Sequence, residues 1–297
     1  MSLIEGKIKL DPVSSVYNFH TTAHVLRLDL LHPVISGNKW FKLREYLSDA
    51  KAKGKKAVLS FGGAFSNHIV ATAAAARAAQ LGSIGIIRGE EAEALSPTLE
   101  DAKHLGMHLL FVSRSQYRLK TIPASTYDIF PEQDIYRIEE GGYGLLGAKG
   151  ASSILDTIDT SSYTHIMAAV GTGTTLAGLC QRSIKGQQMI GIPVLKAPSL
   201  QSEIEALVPE EKRKNFLLVH DYHFGGYAKF LKPLIDFMNE WYTRTRITSD
   251  FVYTGKLFYA LNDMLQQNFL PRDSRVLVIH SGGLQGNRSL PKGTLIF

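Results

Sequence analysis

The residues of this chain that could do chemistry are one lysine and four glycine-rich segments. Lys39 stands in Ser36-Gly-Asn-Lys-Trp-Phe-Lys-Leu43, where a helical pattern begins shortly after a strand-like run. The positive end of a helix disfavours an ammonium, and exclusion of water lowers the pKa further, so an amine placed there becomes a usable nucleophile. Alone, such a lysine is most simply a solvated side chain. Its company changes that weight: Gly62-Gly-Ala-Phe-Ser-Asn-His68, Gly171-Thr-Gly-Thr-Thr175, Tyr253-Thr-Gly-Lys256 and His280-Ser-Gly-Gly283 all fall at junctions between strand-like and helix-like runs.

Gly171, Thr172, Gly173, Thr174 and Thr175 form the most readable of these. Glycines let backbone N–H groups approach an anion, threonine hydroxyls add donors, and the helix that follows contributes positive potential. The segment reads as a phosphate cradle. It has neither the Gly-Lys-Ser/Thr ending of a nucleotide-binding P-loop nor the G-x-G-x-x-G spacing of a dinucleotide fold. A phosphate site, an amine elsewhere and no His-Glu-x-x-His or Cys-x-x-Cys pattern together point to pyridoxal phosphate, with no metal. His220 and His223 read as structural or surface residues. Each loop also has a plainer reading, since Ser66 or Asn67 can simply cap a helix and Tyr253 can simply pack. None of these explains why all lie at strand ends beside Lys39.

The elements that must position these groups follow a regular pattern. Leu43, Tyr46, Leu47 and Ala50 recur at helical spacing, and Ala57–Phe61 is a buried strand. Ser66–Leu81 is an alanine-rich helix, Ser83–Ile87 a strand, 97–105 a helix and 108–112 a strand. The stretch 114–144 is irregular and marks the expected domain junction. Beyond it, helices are expected over 145–158, 174–184, 200–207, 233–243 and 256–267. Strands are expected over 165–170, 189–192, 216–219 and 275–279. Strands alternating with helices imply an α/β protein with a mostly parallel sheet covered on both faces.

The 297 residues, 44% hydrophobic and 20% charged, describe a globular chain with a mild net charge of +6. Basic residues are scattered apart from Lys51–Lys56, a solvated helix end, so nucleic-acid binding is not expected. The single Cys180 sits in an apolar helical run, and a reducing, cytoplasmic setting is expected, with no membrane span.

Six segments carry a family resemblance: Leu26-Arg-Leu-Asp-Leu30, Ser36–Lys39, Gly62–His68, Gly171–Thr175, Tyr253–Lys256 and His280–Gly283, in this order. The chain resembles the 1-aminocyclopropane-1-carboxylate (ACC) deaminase and D-cysteine desulfhydrase family of fold type II pyridoxal-phosphate enzymes. The resemblance implies two open, mostly parallel sheets flanked by helices. It also implies a cofactor domain of residues 1–42 and 139–297 and an inserted small domain of residues 43–138. Lys39 matches the Schiff-base lysine and proton-transfer base, and Asn67 the residue that holds the cofactor's phenolic oxygen. Ser66 and His68, with Asn67, match the substrate-carboxylate site, and 171–175 the phosphate loop. Tyr253 matches the tyrosine against the cofactor ring, and Tyr227 a second active-site tyrosine.

ACC deaminases carry a glutamate after the ring tyrosine and a leucine in the last glycine motif, whereas this chain has Thr254 and Ser281. A hydroxyl leaves the pyridine nitrogen largely neutral and the ring a weaker electron sink. Expelling a thiolate asks less of that sink than opening a cyclopropane. The implied activity is therefore β-elimination from a small amino acid such as D-cysteine, giving pyruvate, ammonia and sulfide, with ACC deamination as the alternative. Ser281 is the first choice as nitrogen partner and Thr254 the second. The family also implies a homodimer. Trp40 and Phe41 replace a small polar residue and an arginine, and are expected to narrow the substrate side; a cofactor-binding protein without turnover is the third reading.

Overall fold

The computed structural model of the protein describes residues 8–13 and 21–297. The strands are β1 (Lys9–Pro12), β2 (Thr22–Arg27), β3 (Ala57–Gly62), β4 (Gly82–Arg88), β5 (Met107–Val112), β6 (Ile135–Arg137), β7 (His165–Val170), β8 (Gln188–Pro193), β9 (Phe216–Leu218) and β10 (Arg275–His280). They form a six-stranded sheet, β1-β2-β10-β7-β8-β9, and a four-stranded sheet, β5-β4-β3-β6. Every pairing is parallel except β1 with β2, where Lys9 faces Arg27. The two mostly parallel sheets expected for the fold are present.

Parallel strands must be covered on both faces, and their sequences show it: Ala57–Gly62 is buried at every position. The helix Asn67–Ala78 packs through alanines, with Ala71, Ala73 and Ala76 fully buried. Ser66 caps it by accepting from the Ile69 N–H at 3.4 Å, as a capping serine should. Helix Asn38–Ala52 shares one core with the helices Leu145–Ser152 and Thr174–Arg182. That core includes the expected Leu43, Tyr46, Leu47 and Ala50.

Several expectations are revised. Trp40 and Phe41, each 4% exposed, also belong to this core and do not line the cavity described below. Helical geometry explains this, because the positions next to Lys39 point away from its face. They cannot narrow the substrate side, so the reading without turnover loses its support. The irregular stretch 114–144 contains short helices at Arg114–Arg118 and Thr126–Ile129 as well as β6, all too short to leave a periodic signature. The helix expected over 145–158 ends at Ser152 and continues as a 3-10 turn, Ser153–Thr157. Edge strand β1 is an antiparallel addition that the alternating pattern does not encode.

Candidate active site

The two sheets face each other across a cavity of about 980 Å3. Its walls come from loops at the ends of parallel strands, where open α/β folds hold ligands. Lys39, Ser66, Asn67, His68, Gly171, Thr172, Gly173, Thr175, Tyr227, Tyr253 and Ser281 all contribute to it. Thr174 and Thr254 do not line it, and both are fully buried.

Lys39 is the second residue of helix Asn38–Ala52. Its Nζ donates to Asn38 Oδ1 at 3.0 Å, and Asn38 Nδ2 donates to Thr175 Oγ1 at 2.8 Å. One asparagine thus ties the amine to the phosphate cradle, across 137 residues of chain. The turn before the lysine is fixed by backbone contact. Gly37 has φ +64°, and a Cβ there would stand 1.8 Å from the Ser281 carbonyl oxygen. No other residue fits between the two loops. Asn38 N–H donates to that same carbonyl at 3.3 Å, and Gly283 N–H to Ser36 Oγ at 3.3 Å.

Burial pulls the Lys39 amine down to about 8, against a smaller upward pull from Asp250. At neutral pH roughly one molecule in ten then carries the free amine, against about one in three thousand for an unperturbed lysine. Lys42, one turn further along, is buried, and its Nζ donates to the Gly141 carbonyl at 2.6 Å. Burial, and then the charge of Lys39, hold Lys42 well below its ordinary value.

His68 is buried and pushed well below its usual pKa by desolvation and by both lysines, so it is neutral. Its tautomer follows from its neighbour. The Ser60 hydroxyl donates its one proton to the Ile138 carbonyl at 2.8 Å, so at 2.8 Å its oxygen accepts from His68 Nε2–H. His68 Nδ1 is left as a bare acceptor without a partner. Asn67 Nδ2 donates to the Gly283 carbonyl at 2.9 Å, while its buried Oδ1 has no partner.

On the opposite wall the Tyr253 ring lies against Gly171, where a Cβ would come within 3.3 Å of Cε1. Only a glycine gives the ring that approach without a shift. Tyr227 packs edge-on to Tyr253, with centroids 6.1 Å apart and hydroxyls 3.4 Å apart. Burial and the neighbouring phenol raise the Tyr253 pKa well above its usual value, keeping it protonated.

Sequence reasoning passed over Asp250, the organiser of this corner. Its buried carboxylate accepts from the N–H groups of Val252, Tyr253 and Thr254 at 2.9–3.0 Å, and from Thr254 Oγ1 at 2.8 Å. The Thr254 hydroxyl in turn accepts from the Asp250 N–H. The one proton of that hydroxyl is spent on Asp250, so Thr254 has no donor to spare for a ligand. Ser281 lines the cavity, and its hydroxyl makes no hydrogen bond to the described residues. The Arg27–Asp29 pair (2.8 and 2.6 Å) explains the Leu26–Leu30 motif as a support. Asp29 lies 3.5 Å from His280, whose Nδ1 accepts from Gly282 N–H and so orients the Ser281 loop. Lys256, also buried, donates to the carbonyls of Val194 (3.3 Å), His223 (2.8 Å) and Gly226 (2.8 Å).

Residues 2–282 match the pyridoxal-phosphate dependent enzyme family. A Pyrococcus abyssi protein provisionally named 1-aminocyclopropane-1-carboxylate deaminase is 31% identical, covering 89% of this chain and 84% of its own. The bifunctional D-cysteine desulfhydrase/1-aminocyclopropane-1-carboxylate deaminase of Arabidopsis thaliana is 26% identical, covering 90% of this chain and 73% of its own. A solved ACC deaminase homologue superposes with a TM-score of 0.80 at 26% identity, over 97% of this chain and 92% of that one.

The residues present fit the cofactor. The cradle is walled by an aromatic ring, Asn67 offers an unpaired buried oxygen and a spare N–H, and the Ser281 hydroxyl is free. No described helix is long and apolar enough to cross a membrane, and no described cluster of His, Cys, Asp or Glu could hold a metal. From its fold, its cavity and its kinship, this chain belongs to the pyridoxal-phosphate dependent enzymes of the ACC deaminase and D-cysteine desulfhydrase kind.

Proposed function

We propose that this enzyme catalyses β-elimination from a small amino acid, with D-cysteine as the reference substrate, giving pyruvate, ammonia and sulfide. The observation that carries this choice is the pairing of a free Ser281 hydroxyl with a fully engaged Thr254, with no carboxylate at either position. Asp250 turns its oxygens to backbone N–H groups and to Thr254 rather than to the cavity.

When bound, pyridoxal phosphate supplies an electron sink that acidifies the Cα–H of a substrate joined to it. The chain does the rest. Gly171–Thr175 and the first turn of helix Thr174–Arg182 would hold the phosphate through backbone N–H groups and threonine hydroxyls. Asn67 would hold the phenolic oxygen, Tyr253 would back the ring, and Ser281 would serve as partner to the pyridine nitrogen. The N–H groups at the start of helix Asn67–Ala78, with Ser66, hold the substrate carboxylate. Lys39 Nζ removes the Cα proton, and its lowered basicity leaves a lone pair available near neutral pH. The thiolate leaves from Cβ and takes up a proton, and water then releases the nitrogen as ammonia. Neutral His68 presents an unprotonated Nδ1, an acceptor able to take a hydrogen bond from a donor on the ligand.

The same reading divides the chain into a cofactor domain, 1–42 and 139–297, and a small domain, 43–138. It also makes the enzyme a cytoplasmic homodimer, which light scattering and cell fractionation check. The second reading, deamination of ACC, is favoured by the name of the archaeal relative. Purified protein assayed against D-cysteine, ACC and D-serine separates the two. The first reading expects a yellow protein that releases sulfide and pyruvate from D-cysteine. A yellow protein that frees ammonia from ACC and leaves D-cysteine untouched overturns it.

A further inference from the structure

The four-stranded sheet presents charges that the reaction as written does not use. Its order, β5-β4-β3-β6, sets Arg114, Arg88, the Gly63 turn and Glu140 along one edge, with Arg88 the last residue of β4 and the others just beyond the C-terminal ends of their strands. All four line the cavity. The strand register places Arg88 opposite Val112, so the two arginines rise from neighbouring strand ends. An Arg88 guanidinium nitrogen lies 3.4 Å from where a Cβ on Gly63 would stand. It rests on the turn that leads into Ser66 and Asn67, with Ser66 N–H donating to the Gly63 carbonyl at 3.0 Å.

Behind Arg88 lies the buried ring of Tyr117, with the guanidinium 5.8 Å from its centroid. Lys120 Nζ sits 4.2 Å from the same centroid and pairs with Glu140. Two arginines, Arg88 and Arg114, therefore line this side of the cavity with one carboxylate, Glu140, and that carboxylate is paired with Lys120. Neither Arg88 nor Arg114 has an ion-pair or hydrogen-bond partner among the described residues. Like charges gathered on one wall of a cavity raise its potential and concentrate an anion there. A guanidinium held on an aromatic ring keeps its planar fork for a carboxylate, sulfonate or phosphate.

We infer that Arg88, supported by Arg114, forms a second anion subsite, and that the preferred substrate is an amino acid whose β-substituent carries an acid group. The inference rests on the reading of this cavity as an amino-acid site. D-Cysteine is then the smallest acceptable substrate, and the α-carboxylate keeps its place at the Ser66–His68 helix start. The subsite adds selectivity and leaves the elimination chemistry unchanged.

Calorimetric titration of the yellow protein with aspartate, cysteate and O-phosphoserine, each against alanine and in both enantiomers, tests it. At least one acid-bearing ligand is expected to bind ten-fold or more tightly than alanine, and the tightest of the three identifies the acid group. Arg88→Leu should bring that ratio to within about two-fold and Arg114→Leu should reduce it less, with cofactor colour unchanged in both. Arg88 is exposed, so its replacement leaves the core intact. Equal binding of alanine and all three acids by the unaltered protein overturns the inference, and so does a preference that survives both substitutions. A colourless protein would instead overturn the proposed function, while the same titrations would still read the subsite.

Discussion

Lys39 and Lys256 sit in the first turn of their helices, and burial draws both amines down to about 8, with Asp250 opposing the shift in each case. Their surroundings differ. Lys39 makes one hydrogen bond to a side chain beside it and opens on the cavity. Lys256 spends three N–H donors on three backbone carbonyls and does not reach the cavity wall. Two of those carbonyls belong to His223 and Gly226, in a loop where Phe224, Gly225, Gly226 and Ala228 all have positive φ. Equal loss of basicity therefore accompanies two different jobs. One lysine keeps a lone pair within reach of a ligand, and the other holds a contorted loop and, through it, Tyr227. What separates them is access and unspent hydrogen-bonding capacity.

Replacing each lysine tests the contrast most sharply. Lys39→Ala should lose the visible absorbance of the bound cofactor and about a thousand-fold or more of the elimination rate, while thermal unfolding stays cooperative. Lys256→Met should keep the colour but lose roughly 2–4 kcal/mol of stability, measured by urea unfolding, because buried carbonyls are left without donors. Colour lost in Lys256→Met and retained in Lys39→Ala would invert the assignment.

pH sharpens the same comparison. Only the deprotonated Lys39 amine can attack an aldehyde. Capture of pyridoxal phosphate by cofactor-free protein should therefore accelerate about ten-fold per pH unit below a midpoint near 8 and level off above it. Stopped-flow absorbance measures this, and a flat profile from pH 6 to 9 would detach reactivity from that amine. The acid side belongs to histidines. His68 and His280 are both lowered, chiefly by desolvation, so the unfolded chain binds protons near pH 6.5 that the folded chain refuses. The histidines' contribution to stability should be full above that value and decline as pH falls through it, which unfolding midpoints from pH 7 to 5 will show. The smallest effect expected is for Tyr227→Phe, about 0.5–1 kcal/mol in stability, because its hydroxyl contact with Tyr253 is long and partly exposed.

Much of this site was legible because its signals lie in the backbone. Gly37, Ser66 and the Gly171–Thr175 run occupy positions where cap and turn chemistry leave few choices, and the alternation of strands and helices puts them at sheet edges. What escaped notice depends on three-dimensional neighbours. Asp250 stands in an unremarked polar stretch, and nothing in its spacing tells that four donors converge on it. Lys42, Arg88 and Glu140 carry no motif in the sequence, and only the folded chain gathers them around one cavity. Ser281 ranks ahead of Thr254 in the sequence only through the resemblance, and the Asp250 loop supplies the physical reason by engaging the Thr254 hydroxyl. Trp40 and Phe41 look like neighbours of the reactive lysine, yet a helix turns successive side chains about 100° apart, and these two meet the core.

Strand β10 is placed between β2 and β7 although it is the last of the described strands in chain order. The large sheet therefore cannot zip together until all its other strands have been made, since its middle arrives last. The Ser281 carbonyl that receives Gly37 emerges later still. A chain cut before β10 has no seat in which to hold the coenzyme.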